Sequence, residues 1–134
     1  MRGMMLGTMA LVLGLVATAP LHADPGKGGH VVVVKMVEQG GGQYRFEPAA
    51  VTVQPGDTVR WLETSGAPHN VQFDRWPGGA KLGSAQAGPL LTAKGASYQL
   101  VIDGRFPAGT YAYECLPHGM LGMKATLTVA PAAP

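Results

Sequence analysis

Along this chain, apolar and polar positions alternate in short runs with a period of two, broken by turn residues. Residues 30–37 are valine-rich and long enough for one strand. Residues 44–46 and 51–53 form shorter runs on either side of Glu47-Pro48. Residues 58–63 alternate, with Val59 and Trp61 on one face, and residues 70–73 form another short run. Residues 97–102 set Tyr98 and Leu100 against Gln99 and Val101. Residues 110–115 and 124–129 complete the series. Gly40-Gly41-Gly42, Pro55-Gly56-Asp57 and Pro107-Ala108-Gly109 supply connections between runs. Residues 75–89 have no period, which predicts a long surface excursion with one helical turn.

About eight strands, little helix and many Gly/Pro turns predict an all-β fold, a Greek-key β-sandwich. Trp61, Phe73 and Tyr111 are its expected core aromatics. A chain of 134 residues supports one domain with short appendages. That domain is placed at residues 30–130, followed by a tail at 131–134 that adds nothing to a sheet.

The start of the chain reads differently. Arg2 gives a positive beginning, residues 4–19 carry no charge, and Pro20-Leu21-His22-Ala23 ends in a small residue. This is the layout of a secretory signal peptide over residues 1–23, cleaved after Ala23, with a flexible lead-in at residues 24–29. The apolar run is short for a bilayer span of roughly 20 residues. A soluble, exported protein is expected, periplasmic or in a thylakoid lumen, with no membrane span in the mature form. Cleavage removes four methionines, leaving Met36, Met120 and Met123. Loss of Arg2 takes the formal net charge from +2 to +1. So small a charge, with no block of either sign, gives no reason to expect nucleic acid as a partner.

Cys115 is the single cysteine. In an oxidising compartment a lone exposed thiol pairs between chains or oxidises, so burial or metal ligation has to protect it. Cys115, His118 and Met123 fall within nine residues, and His69 lies upstream in Ala-Pro-His-Asn. Two imidazoles, a thiolate and a thioether suit a copper ion cycling between Cu(II) and Cu(I), because the sulfur ligands favour Cu(I) and imidazole serves both states. Gly119 and Gly122 let the loop close far enough to return Met123. Met120 is a competing thioether that spacing disfavours.

Two segments, Ala-Pro-His69-Asn-Val-Gln-Phe-Asp and Tyr-Glu-Cys115-Leu-Pro-His118-Gly-Met-Leu-Gly-Met123, resemble the copper-binding segments of plastocyanins and related small cupredoxins. Val-Gln-Pro-Gly-Asp-Thr-Val-Arg-Trp is similar to the strand that precedes the first histidine in that family. The resemblance spans most of residues 30–129. It implies one copper ion held by His69, Cys115, His118 and Met123, with Asn70 supporting the site near the sulfur. It also implies that His118 presents its ring edge at an apolar surface built from Pro68, Leu116, Pro117, Met120 and Leu121. The chain departs from some plastocyanins in having no Glu-rich stretch, and it carries Arg75 and Lys81 after Asp74.

The expected function is single-electron shuttling between a donor and an acceptor redox protein, docked transiently by a monomer near His118. No catalytic residues are assigned and the protein is not expected to be an enzyme, since no further His/Asp/Glu cluster offers acid–base or second-metal chemistry. The alternative is a periplasmic copper chaperone or sequestration protein. A third reading is a cupredoxin-like binding module that has lost its metal.

Overall fold

The computed structural model describes residues 29–134 and contains eight strands in two four-stranded sheets. They are β1 (Val31–Gln39), β2 (Gln43–Glu47), β3 (Ala50–Val53), β4 (Thr58–Glu63), β5 (Gln72–Arg75), β6 (Ser97–Val101), β7 (Gly109–Glu114) and β8 (Lys124–Val129). One sheet has the order β2-β1-β4-β6 and the other β3-β8-β7-β5. The pairs β1/β4 and β3/β8 are parallel, and the remaining neighbours are antiparallel. The expected all-β sandwich is therefore the observed fold. The segment read as a signal peptide, residues 1–23, and residues 24–28 of the lead-in lie outside the described residues. Among the described residues, no helix is long and apolar enough to cross a membrane.

Alternation along each strand sends one set of side chains between the sheets. Val34 and Met36 of β1, Val59 and Trp61 of β4, Tyr111 and Tyr113 of β7, and Leu127 and Val129 of β8 are all buried there. Phe46 and Phe73 pack edge-on to Tyr113, and Trp61 packs edge-on to both Phe73 and Tyr113. This is the aromatic centre expected from Trp61, Phe73 and Tyr111, enlarged by Phe46 and Tyr113.

Differences from the expected elements have local causes. β1 runs on to Gln39 because Glu38 and Gln39 pair with Tyr44 and Gln43 across the glycine turn. β5 starts at Gln72, two residues late, because the His69 backbone pairs with Leu91 instead. The stretch 75–89 is more than a surface excursion. It contains the expected helical turn, a 3₁₀ turn at Gly83–Gln86, but Leu82 and Ala85 are buried in the core.

One buried carboxylate ties the lead-in to the sandwich. Asp57 Oδ1 accepts from the backbone amides of Gly29 at 3.1 Å and His30 at 3.0 Å, while Oδ2 accepts from Gln54 at 2.8 Å. His30 Nδ1 lies 3.4 Å from Asp57, so this histidine serves the strand start. Asp57→Ala should lower stability by about 2–4 kcal/mol, because it strands several backbone donors. In a urea melt the midpoint should fall with an unchanged slope, whereas Asp57→Asn should lose less.

Candidate metal centre

Strand register brings the C-terminal donors together. Tyr111 and Tyr113 point inward from β7, so the next residue of the same parity, Cys115, also points inward and is fully buried. In the β7/β8 ladder Glu114 pairs with Lys124, which sets Cys115 opposite Met123 one step further along. The Cys115 amide donates to the Met123 carbonyl at 3.1 Å, completing that step. Met123 shares parity with Ala125, Leu127 and Val129, and has no exposed surface.

Between the two strands the chain makes a tight loop. The His118 amide donates to the Cys115 carbonyl at 3.1 Å, and the His118 carbonyl accepts from Leu121 at 2.9 Å and Met123 at 3.2 Å. A 3₁₀ turn at Gly119–Leu121 ends at Gly122, whose φ of 90° is costly for any residue with a Cβ. Gly119 serves a different need: a Cβ there would lie 2.5 Å from Glu114 Oε2.

His69 is delivered by the β4–β5 connection and held by a two-way backbone pair with Leu91, at 3.0 and 2.7 Å. The Gly88 amide donates to the Val71 carbonyl at 2.8 Å, so the 76–91 stretch is laced to this segment. Asn70 then bridges the two halves of the site, its Oδ1 accepting from the Leu116 amide at 2.7 Å. Support near the cysteine was expected of Asn70, and this bond acts on the residue next to it.

The donor atoms converge closely. Cys115 Sγ lies 3.5 Å from Nδ1 of both His69 and His118, and the two Nδ1 atoms are 3.1 Å apart. A point equidistant from three atoms so spaced is about 2.0 Å from each, close to the ~2.0–2.1 Å of a metal–imidazole bond and slightly short of the ~2.3 Å of a metal–thiolate bond. Among the described residues, His69, Cys115 and His118 are the group of His, Cys, Asp and Glu side chains placed to hold a metal ion. The residues present therefore fit a small ion with mixed nitrogen and sulfur ligands. Of the loop methionines, Met123 is fully buried and Met120 fully exposed, so only Met123 sits on the interior side with the donors.

Burial governs the protonation chemistry. It pushes the Cys115 thiol above its ordinary range, and the backbone amides of Asn70 and His118 pull it part of the way back. Burial also lowers the pKa of His69, opposed by the Glu63 carboxylate. The neutral imidazole that metal ligation requires is thereby favoured at His69.

Three participants escaped sequence analysis. Tyr44 stacks on the His118 ring with centroids 3.8 Å apart at 17°, and meets His69 edge-on at 5.5 Å. It shares strand parity with the buried Phe46, which was a usable signal. Glu63 is completely buried behind His69, and Ser65 Oγ lies 3.2 Å from His69 Nε2. Alternation with Val59 and Trp61 already placed Glu63 on the inward face.

Known proteins similar to this chain are copper-binding proteins. The family model for copper-binding proteins of the plastocyanin/azurin family matches residues 31–130. A plastocyanin from Scenedesmus fuscus is 44% identical over 86 residues, covering 63% of this chain and 85% of the relative. A plastocyanin from Prochlorothrix hollandica is 32% identical over 123 residues, covering 90% and 88%. The oxidised plastocyanin of Dryopteris crassirhizoma superposes with a TM-score of 0.60 at 31% identity, covering 73% of this chain and 99% of that one.

Because Cys115 is buried and its thiol pKa is raised, it should react with a thiol reagent at least about tenfold more slowly in the folded, metal-free protein at pH 8 than in denaturant. Equal rates in the two conditions would contradict the buried placement.

Proposed function

The chain belongs to the plastocyanin/azurin family of copper-binding proteins, and on that premise we propose that His69, Cys115, His118 and Met123 hold one copper ion for single-electron transfer between redox proteins. The observation that supports this ligand set most directly is the 3.5, 3.5 and 3.1 Å triangle of Sγ and two Nδ1 atoms. Bound there, copper supplies a one-electron Cu(II)/Cu(I) couple.

The chain's own contribution is to keep the donors still. Cys115 and Met123 are locked by the ladder, His69 by Leu91, and His118 by its loop and by the Tyr44 ring. Ligands that stay in place in both oxidation states keep reorganisation small. Rigidity in the binding loop is thus a functional property.

Access is confined to one place. His69 and Cys115 are buried, while His118 keeps part of its surface exposed. Next to it in the chain, Leu116, Met120 and Leu121 are exposed at 61%, 101% and 62%. Large apolar side chains left in water around a partly exposed ligand of a redox ion suit brief docking, where water leaves the contact without ion pairs that slow release.

On this reading the protein is an electron carrier, returned unchanged after each exchange, and not an enzyme. Its family relatives and the layout of residues 1–23 favour an exported location, acting as a monomer. The donor and acceptor are redox proteins that tolerate an apolar docking face without acidic patches. The copper-chaperone alternative is not favoured, since a chaperone offers open, exchangeable ligands whereas three of these four are fully buried.

A visible spectrum of the protein with added Cu(II) should show an intense thiolate-to-copper band that ascorbate bleaches and reoxidation restores. Cys115→Ser should abolish the band. Met120→Ala should leave band and copper affinity unchanged, while Met123→Ala should alter both. A Met120→Ala variant that behaves like Met123→Ala would reverse the assignment of the axial ligand.

A further inference from the structure

Glu63 has no exposed surface, and among the described residues its ion-pair neighbour is His69, not a lysine or arginine. A carboxylate in that position is costly unless its oxygens are satisfied or its charge is used. Oε1 is well satisfied, accepting from the Ser65 amide at 2.6 Å, the Ser65 hydroxyl at 2.7 Å and the Gly66 amide at 2.9 Å. Oε2 is buried with no hydrogen-bond partner among the described residues, 3.9 Å from Nε2 of His69.

Counting hydrogens along this chain gives a direction. A carboxylate has none to donate, so the bond at 2.7 Å uses the one hydroxyl hydrogen of Ser65. Ser65 Oγ is then only an acceptor toward its other contacts, the Ala67 amide at 3.1 Å and His69 Nε2 at 3.2 Å. The hydrogen in the last contact has to come from Nε2. A neutral imidazole carries one N–H, so Nδ1 keeps a bare lone pair. Nδ1 is the atom facing Cys115 Sγ and His118 Nδ1.

We propose that Glu63 is a positioning residue of the centre: acting through Ser65 it holds His69 in the Nε2–H tautomer, and its buried charge behind the ring favours the more positive, oxidised copper ion. The inference rests on the ligand assignment above. A carboxylate behind a ligand imidazole orients the ring and raises its basicity. In a low-dielectric interior a charge one imidazole away also acts strongly on the Cu(II)/Cu(I) balance. Among the described residues, Glu63 is the carboxylate placed within ion-pair distance of a donor histidine.

Two variants and two readouts test this. In the metal-free protein at pH 8, long-range ¹⁵N–¹H spectra should show His69 protonated at Nε2, and Ser65→Ala should shift it towards a mixture of tautomers. Wild-type His69 protonated at Nδ1, or an unchanged balance in Ser65→Ala, would overturn the relay whether or not Glu63→Gln folds. In the copper-loaded protein, Glu63→Gln should weaken Cu(II) relative to Cu(I) binding about tenfold, raising the reduction potential by about 59 mV. Ser65→Ala, which keeps the charge, should move the potential far less. Coincident potentials for Glu63→Gln and wild type, with the thiolate band intact, would overturn the electrostatic role. If the wild-type protein showed no such band, the copper reading itself would fail, and the tautomer measurement would still decide the relay.

Discussion

Two imidazole nitrogens 3.1 Å apart, each 3.5 Å from a buried thiol sulfur, are the constraint on which the structure turns. Such crowding of donor atoms is sustained because the segments carrying them are not free to relax. Cys115 is the first residue after β7, and its amide is bonded to the Met123 carbonyl one step beyond the ladder. His69 is pinned to Leu91, and the side chain of Asn70 spans the gap to Leu116. The sandwich behaves as a vice with the donor atoms at one end.

The same end of the molecule holds several departures from ordinary protein architecture. A carboxylate and a histidine sit fully buried, and large apolar side chains remain in water on the neighbouring loop. Each exception has a counterpart in the proposed function. On that proposal the buried groups shape the electrostatics around the donors, and the exposed ones would offer a dry contact to a partner. Asp57 is buried but satisfied by backbone amides, and the aromatic centre around Trp61 and Phe73 packs edge to face.

Tyr44 and Glu63 show how the outer layer of such a site is assembled. Tyr44 reaches His118 from β2, in the opposite sheet, and restrains its ring by stacking. Glu63 reaches His69 from the end of β4 through Ser65, two residues on. Neither belongs to a recognisable local motif. Their roles arise because both strands end beside the donors, where inward-facing positions no longer meet apolar core.

Much of this was legible in the chain itself. Period-two patterning and Gly/Pro punctuation determined the strand count and the sandwich, because alternation is the cheapest way to bury one face of a sheet. The spacing of Cys115, His118 and Met123 determined the C-terminal half of the candidate site, because a short loop leaves few places for its side chains to go. Strand parity even marked Glu63 as inward-facing. Tertiary structure alone decided that His69, 46 residues from Cys115, meets it at 3.5 Å, since long-range pairing is set by packing of whole sheets. To the preference for Met123 over Met120 that spacing already carried, it added the burial of one and the exposure of the other, through the step opposite Cys115. And it alone aimed the Glu63 carboxylate at His69, because parity says which way a side chain faces but not what waits there.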